Sequence, residues 1–290
     1  SVSEISERPL VSPLVTFALF AYNQEQFIRE AVEGALAQDY SPLEIILSDD
    51  CSQDSTFKIM EDIVASYKGP HRVRLVRNEK NLGIGGHVNK VLRMSSGDWI
   101  VMAAGDDISL PIRTRKTIEC ALKSSCPVDC VAVQLLQIDH KGLHTGLVLN
   151  VFDPQLHIGA RTLRGAGLAY SRRVIDEFGD LSPSVHNEDI VLSARAYLLS
   201  SVVSVSEPLV LYRSHDKNQL KKYRSWDDFN VAWLDLKLRN AQRVLSFVEQ
   251  IESDCINQDF SRIPDYCEIL ALGRKSQITI QILEAGRPAS

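Results

Sequence analysis

The sequence predicts an α/β protein built on a mostly parallel sheet that is flanked by helices. Short apolar strands alternate with amphipathic helices four times between residues 14 and 104, and this alternation is typical of parallel sheets wrapped by helices. The strands are continuous apolar runs, as expected for strands covered on both faces. The chain has 290 residues, of which 44% are hydrophobic and 24% charged, so it is long enough to bury a sizeable core.

The first half of the chain supplies the parallel strands. Residues 14–20, introduced by Pro13, form an apolar run with strong β-propensity. Apolar residues recur at helical spacing in 26–38, which predicts the first helix. Further strands are predicted at 43–48, 73–76 and 99–104, further helices at 56–67 and 87–95, and a glycine-rich loop at 78–86.

The alternation changes after Pro111, which marks the first of two proposed boundaries. Residues 1–111 are predicted to form an α/β ligand-binding half, 112–225 the second half of the same domain, and 226–290 a helical extension. Predicted helices in the later parts are 112–123, 172–178, 188–199, 226–252 and 264–283, and the extended segments are 128–138, 142–149 and 202–212.

Composition excludes several classes of protein. The net charge is −5, so there is no basic surface for nucleic acid. No apolar run approaches the roughly 20 residues of a membrane span, and no signal-peptide pattern opens the sequence. The six cysteines are sparse and favour reduced thiols over a disulfide framework. We therefore expect a cytoplasmic protein without a transmembrane segment.

Two pairs of carboxylates follow strands of the first half. Asp49 and Asp50 come directly after the second strand, and Asp106 and Asp107 follow the fourth strand and Gly105. Parallel strands end at one edge of the sheet, where open α/β folds bind ligands. Carboxylates crowded there need a cation or hydrogen-bond donors, and carboxylate oxygens suit Mg²⁺ or Mn²⁺. Gly-Asp-Asp alone is also ordinary turn chemistry.

These pairs suit a nucleoside-diphosphate site, in which one pair accepts from a base N–H and the other holds a metal ion. The Gly-x-Gly-x-x-Gly fingerprint is absent after the first strand, where residues 20–23 read Phe-Ala-Tyr-Asn, and no Gly-Lys-Ser/Thr loop occurs. Dinucleotide oxidoreductases and P-loop enzymes are therefore disfavoured.

The ordered motifs closely resemble those of glycosyltransferase family 2. In the first half they are Tyr22-Asn23, Asp-Asp-Cys-Ser-Gln-Asp-Ser-Thr at 49–56, Asn-Leu-Gly at 81–83 with Asn89, Gly-Asp-Trp-Ile at 97–100 and Gly-Asp-Asp at 105–107. In the second half they are Gly-Ala-Gly at 165–167, Asn-Glu-Asp at 187–189 and Tyr-Arg-Ser-His at 212–215. The resemblance implies the GT-A fold and a nucleotide-sugar donor.

The resemblance also implies roles for individual residues. Asp50, with Asp49 beside it, would accept the imino N–H of the base, and Ala21 and Tyr22 would flank that base. Asp189, next to Glu188, takes the position of the catalytic base. The implied nucleotide-binding set is Ala21, Tyr22, Asn23, Asp49, Asp50, Asn81, Gly83, Asp106 and Arg213.

A divalent metal, Mn²⁺ or Mg²⁺, is the implied cofactor, with Asp106, Asp107 and His215 as candidate ligands. Asp106 stands at the last acid of the family's Asp-x-Asp motif, and Ala104 replaces the first acid. Arg213 is a candidate for the diphosphate because a guanidinium pairs with phosphate in a bidentate fork.

Each assignment has a structural alternative. Glu188 and Asp189 are also the first-turn acids that suit a helix N-terminus. The glycines at 83, 85 and 86 are either a turn or a phosphate-binding nest, and His215 is a candidate solvated loop histidine.

The sequence thus predicts an inverting, non-processive, metal-dependent glycosyltransferase that uses a UDP-sugar, although thymine and guanine also offer an imino N–H. The expected acceptor is a hydroxyl of a glycan or lipid-linked glycan in surface polysaccharide synthesis. The rivals are a nucleotidyltransferase of similar fold and a non-catalytic binding module. The C-terminal helices, with Lys221, Lys222, Arg224 and Lys237, would dock on the inner face of the membrane or, the favoured alternative, pack against the core or a second subunit.

Overall fold

A computed structural model of the chain describes residues 12–150, 163–214, 226–256, 258–259, 262–263 and 266–285. Its strands are β1 (Val15–Ala21), β2 (Leu43–Asp49), β3 (Arg72–Arg77), β4 (Trp99–Ala104), β5 (Ile108–Ser109), β6 (Cys130–Ile138), β7 (His144–Leu149), β8 (Leu168–Ser171) and β9 (Val202–Arg213). Its helices are α1 (Ile28–Leu36), α2 (Thr56–Ser66), α3 (Gly83–Met94), α4 (Arg113–Lys123), α5 (Arg173–Asp176), α6 (Glu188–Leu199), α7 (Trp226–Asp254) and α8 (Tyr266–Ala285).

The described strands form a single sheet in the order β3-β2-β1-β4-β8-β6-β9-β5, with β7 paired to β6. Strands β1 to β4 pair in parallel, as do β6 and β9. The pairings of β8 with β4 and with β6 are antiparallel. Most paired residues lie in the parallel ladders, which confirms the predicted α/β class. Because β8 joins β4 to β6, the two predicted halves share one sheet.

Alternating side chains of the strands fill two apolar cores, one on each face of the sheet. In β1, Phe17 and Leu19 belong to the core on the side of α1 and α2, whereas Ala18 belongs to the core on the side of α3, α6, α7 and α8. All three side chains are at most 1% exposed. This arrangement explains why the central strands are apolar throughout rather than alternating.

Two short strands were absent from the sequence-based prediction. β8 has four residues and directly follows a 3₁₀ turn, Gly165–Gly167, and β5 has two. Neither is long enough to show a period-2 pattern, and each exists because a neighbouring strand offers a free edge. The predicted glycine-rich loop is also shorter than expected, since α3 begins at Gly83 rather than at His87.

The C-terminal helix α7 packs against the domain through a buried ion pair. Arg195 on α6 donates from Nε and Nη2 to the carboxylate of Asp254 at 2.7 and 3.2 Å. Its side chain is 1% exposed and that of Asp254 is 6% exposed. Phe247 and Ile251 of α7 lie in the same core as Leu192. In the described part of the chain, no helix is both long enough and apolar enough to span a membrane.

The ion pair predicts a strong effect on stability. Asp254→Ala leaves a buried guanidinium uncompensated, and losses of this kind are about 3–5 kcal/mol. We expect the free energy of unfolding, measured by urea denaturation, to fall by that order. The matched control is Asp39→Ala, because Asp39 and Arg115 form a pair that is exposed on both sides and should change the midpoint little. A small loss for Asp254→Ala would show that α7 is not anchored by this contact.

Candidate functional site

One cavity, of about 660 Å³, opens at the carboxyl edge of the parallel strands. Many of the residues that line it come from the ends of β1, β2 and β4, from the start of α3, and from the start of α6. The lining residues are Phe20, Ala21, Tyr22, Gln24, Asp50, Asn81, Gly83, Ile84, His87, Val88, Met102, Ala103, Ala104, Asp106, Gly165, Ala166, Tyr170, His186, Glu188, Asp189, Leu192 and Arg243. Carboxylates from both halves of the chain therefore meet in one space.

Strand register explains why the acids meet. Ala21 of β1 is opposite Asp49 of β2, and Phe20 is opposite Ala104 of β4. The three strands therefore end level with one another. The residues that follow β2 and β4, Asp50 and Asp106, consequently emerge on either side of the end of β1.

Asp50 is placed as predicted for a group that accepts from a ligand. Its side chain is 3% exposed, and its Oδ1 accepts from Asn78 Nδ2 at 2.7 Å and from Leu82 N at 2.9 Å. No described residue is recorded as donating to Oδ2. One carboxylate oxygen is thus held by the protein while the other is left to face the cavity.

The structure corrects the placement of Asp49 and Asn23, neither of which lines the cavity. The buried Asp49 carboxylate accepts from Ser52 N and Ser52 Oγ, and it faces the guanidinium of Arg77. Asn23 adopts a positive φ of 52° and accepts from the N–H of Gln53. Asn23 thus connects the loop after β1 to the loop after β2, and Asp49 connects the loop after β2 to Arg77 of β3.

Just before Asp106, which lines the cavity, the chain passes close to the start of α1. A Cβ on the preceding Gly105 would lie 2.4 Å from Oε1 of Gln24 and 3.0 Å from Ile28. A side chain at position 105 would therefore require Gln24 and Ile28 to shift. Gly105 lets the turn after β4 pack closely against these residues beside Asp106.

Asp107 and Arg213 do not line the cavity, which corrects their predicted roles. Asp107 Oδ1 accepts from the backbone N–H of Arg213 at 2.8 Å, and burial, together with Asp106, raises the pKa of Asp107 well above its usual range. The Arg213 guanidinium pairs with Glu30 at 2.6 Å, donates to the Asp106 carbonyl at 3.0 Å, and lies over the Phe27 ring. Arg213 therefore braces the Gly-Asp-Asp turn instead of facing a ligand. His215 lies outside the described residues.

The donor set fits a metal ion that is shared with a substrate. Within the described residues, no three His, Cys, Asp or Glu side chains are grouped as a metal site. Asp106 is the one acid of the turn at 105–107 that lines the cavity. A single carboxylate completed by substrate phosphates and water is a common environment for Mg²⁺, so the residues present fit this arrangement.

Glu188 and Asp189 open α6 and also line the cavity. Asp189 Oδ2 accepts from the Gly165 N–H at 3.1 Å and Oδ1 from the Ile190 N–H at 2.9 Å. Burial raises the pKa of Asp189, while these N–H groups and Arg164 oppose the rise. Burial, and secondly the adjacent Asp189, raise the pKa of Glu188 to about 8. The pair therefore shares a strong affinity for one proton near neutral pH.

The start of α3 forms part of the cavity wall. Asn81 Oδ1 accepts from the Gly83 N–H at 2.9 Å, and Gly83 has a φ of +69°. Both residues line the cavity, as predicted. The positive φ explains the glycine at 83, because L-residues with side chains rarely adopt it.

Several lining residues were not predicted from the sequence. His87 is 5% exposed, bonds to Ser48 Oγ at 2.7 Å, and meets the Phe20 ring edge-on. Tyr170 comes from the unpredicted β8. His186 and Arg243 are single polar residues in otherwise ordinary segments, and no local pattern distinguishes them. They reach the cavity only because distant elements pack together.

The family comparison agrees with this geometry. The model described as Glycosyl transferase family 2 matches residues 16–170, which is more than half of the chain. The chain therefore belongs to glycosyltransferase family 2, and the predicted family is confirmed.

Relatives of known sequence match somewhat less than half of the chain. The putative glycosyltransferase EpsE of Bacillus subtilis (strain 168) is 31% identical over 137 residues, which cover 47% of this chain and 48% of the relative. The succinoglycan biosynthesis protein ExoO of Rhizobium meliloti (strain 1021) is 35% identical over 131 residues, covering 45% of this chain and 36% of the relative. Less than half of either relative's length is thus matched.

Solved structures extend the likeness in fold to nearly the whole chain. The mannosyltransferase PcManGT from Pyrobaculum calidifontis, in complex with GDP-Man and Mn²⁺, aligns with a TM-score of 0.63 at 15% identity, over 99% of this chain and 79% of that chain. Residues 1–349 of S. aureus TarS, in complex with UDP-GlcNAc, align with a TM-score of 0.53 at 14% identity, over 95% and 93% of the two chains. The predicted GT-A fold is confirmed.

The raised pKa of Glu188 predicts a pH effect on stability. Between its ordinary value of 4.5 and about 8, the folded protein retains a proton that the unfolded chain has released, so this group lowers stability as pH rises through that window. Glu188→Gln should therefore lose less stability than the unaltered protein between pH 5 and pH 8, measured by urea denaturation. Glu177→Gln, at an exposed position, is the control. Parallel pH curves for the Glu188→Gln and unaltered proteins would contradict the raised pKa.

Proposed function

We propose that this protein is an inverting glycosyltransferase that transfers one sugar from a nucleoside-diphosphate sugar to a hydroxyl group of a glycan or glycolipid. The observation that carries the proposal is the meeting of Asp50, Asp106 and Asp189 in one cavity, with the first two just after the ends of strands and the third at the start of α6. Family membership supports the class of reaction. Relatives named for succinoglycan and teichuronic acid biosynthesis support a polysaccharide acceptor.

The donor is proposed to bind at the edge formed by β1, β2 and β4. Oδ2 of Asp50 would accept the imino N–H of the base, and Tyr22, which is 46% exposed, would cover a face of that base. A UDP-sugar is the first choice. The two structural neighbours are complexes with GDP-Man and with UDP-GlcNAc, so both guanine and uracil are compatible with this fold.

The metal, Mn²⁺ or Mg²⁺, would be held by Asp106 together with the diphosphate. When bound, it would supply positive charge to the departing diphosphate. Gly105 and Arg213 keep Asp106 at the cavity wall, through close packing and through the bond to the Asp106 carbonyl respectively.

Asp189 is proposed as the base that takes the proton of the acceptor hydroxyl. It lines the same cavity as Asp50 and Asp106 but comes from a different element, the start of α6, and an inverting transfer would need it on the acceptor side of the sugar. The N–H groups of Gly165 and Ile190 hold its two oxygens, so the orientation of the carboxylate is set before the substrate arrives. The raised pKa brings Asp189 closer to the working range of a general base.

Two rival functions give different products from the same assay. A nucleotidyltransferase would release pyrophosphate, and a binding module would release nothing. Incubation with UDP- and GDP-sugars, Mn²⁺ and glycan acceptors, followed by analysis of free nucleotide, should yield nucleoside diphosphate. Pyrophosphate, or the absence of turnover with tight donor binding, would replace the proposal by the corresponding rival. Action at the inner face of the membrane and assembly through the C-terminal helices stay predictions.

The metal assignment predicts a linked loss of binding and turnover. Asp106→Asn removes the charge of the proposed ligand, so it should abolish most turnover and remove the Mn²⁺-dependent gain in UDP affinity, measured by calorimetry with Mn²⁺ and with EDTA. Asp176→Asn, an exposed acid on α5, is the matched control. If UDP affinity is the same with Mn²⁺ and with EDTA in the unaltered protein, Asp106 does not serve a metal site.

The base assignment predicts a selective loss of the chemical step. Asp189→Asn keeps the size of the side chain and removes its basicity, so kcat should fall about 10²- to 10⁴-fold while UDP affinity is retained. The anomeric configuration of the product, read by NMR, should be opposite to that of the donor. A near-normal kcat in Asp189→Asn, or a retained anomer, would place the base elsewhere.

A further inference from the structure

The cavity is rich in carboxylates and poor in cations. Asp50, Asp106, Glu188 and Asp189 all line it, and among the described lining residues the only lysine or arginine is Arg243. The arginine predicted to meet the diphosphate, Arg213, is 2% exposed and bonded to Glu30. A ligand that carries a diphosphate would therefore find one protein guanidinium in this cavity, and it comes from the C-terminal extension.

Arg243 lies on the face of helix α7 that packs against the domain, and this packing brings Arg243 to the cavity. Arg243, Phe247, Gln250 and Asp254 are spaced by four, three and four residues, so they share one face of the helix. Phe247 is 3% exposed in the core. Gln250 Oε1 accepts from the Ser182 N–H at 2.8 Å, and Asp254 pairs with Arg195. These contacts hold residues 247–254 of α7 against the domain.

The ion pair also relates Arg243 to the proposed base. Arg195 lies on α6, seven residues after Glu188, and Asp254 lies on α7, eleven residues after Arg243. The two helices are joined at Arg195 and Asp254, and both Glu188 and Arg243 line the cavity. The ion pair therefore connects the helix that carries Arg243 to the helix that carries Glu188 and Asp189.

Arg243 itself is available to a ligand. The residue is exposed, and its guanidinium makes no recorded hydrogen bond or ion pair with any described residue. An unpaired guanidinium beside a cavity offers bidentate hydrogen bonds to phosphate oxygens.

We infer that Arg243 binds a diphosphate group of a substrate in this cavity, so that the C-terminal extension completes the site. This inference rests on the proposed function. The diphosphate belongs either to the nucleotide donor or to a lipid diphosphate that carries the acceptor glycan. Ala104 stands where the family's first metal-binding acid would be, so the metal site has one acid fewer. A guanidinium would supply part of the positive charge that a less firmly held metal ion leaves lacking beside the diphosphate.

The test compares Arg243→Ala and Arg243→Lys with Arg239→Ala. Arg239 is exposed one turn earlier on α7 and does not line the cavity, so its variant removes the same charge from the same helix. Calorimetry in Mn²⁺ measures the Kd of UDP, GDP, uridine and guanosine. The Kd of a polyprenyl diphosphate in detergent micelles is compared with that of the corresponding alcohol. Thermal unfolding checks that each variant keeps its fold.

We expect Arg243→Ala to weaken binding of one class of diphosphate about 10- to 100-fold, since hydrogen bonds to charged groups are strong. Affinity for the nucleosides or the alcohol should not change. Arg243→Lys should recover part of the loss, and Arg239→Ala should lose less than about threefold. A loss confined to UDP and GDP assigns Arg243 to the donor, and a loss confined to the polyprenyl diphosphate assigns it to the acceptor carrier.

Unchanged diphosphate affinity in Arg243→Ala, while the unaltered protein binds these ligands, would overturn the inference and leave the proposed function standing. An equal loss in Arg239→Ala would overturn it too, because the effect would then be that of overall charge. If the unaltered protein binds none of the diphosphates, both the inference and the proposed function fail.

Discussion

The site depends on three parallel strands, β1, β2 and β4, that end at the same level. Because β1 pairs in register with β2 on one side and β4 on the other, Asp50 and Asp106 emerge on either side of Ala21. The strands are held level by buried apolar side chains on both faces, among them Phe17, Ala18 and Ile46. Polar chemistry at the edge is thus positioned by apolar packing beneath it, since hydrogen bonds at the edge alone would not order two exposed loops.

A second set of contacts converts this edge into a cavity. Part of its lining is α6, whose first turn carries Glu188 and Asp189, and β8 links that half to β4. Arg213 at the end of β9 bonds to Asp107 and to the carbonyl of Asp106, so the last strand of the second half holds the acidic turn of the first. Neither half has a complete site alone.

Sequence patterns predicted the fold well where elements are long and periodic, as in β4 and α6, whose observed bounds are those expected. They placed Asp50 and Asp106 near one another, because strand ends can be located from local pattern, whereas Asp189 was assigned only through the family resemblance. They did not indicate the contacts of Arg213 with Glu30 and Phe27, which join residues far apart in sequence. Asp49 and Asp50 are adjacent, chemically alike and both buried, yet only Asp50 lines the cavity. Arg243 could not be found at all, since its role depends on how α7 packs.

The distribution of charge separates the buried arginines from the carboxylates around the cavity. The buried arginines Arg195 and Arg213 are each paired with a carboxylate outside the cavity, Asp254 and Glu30 respectively. Inside the cavity, burial raises the pKa values of Glu188 and Asp189 and so their affinity for a proton. Several carboxylates that line one cavity repel a bare anion, and a ligand that brings a metal ion would lessen this repulsion. The proposed metal-bound diphosphate therefore suits the charge of this lining better than a free diphosphate would.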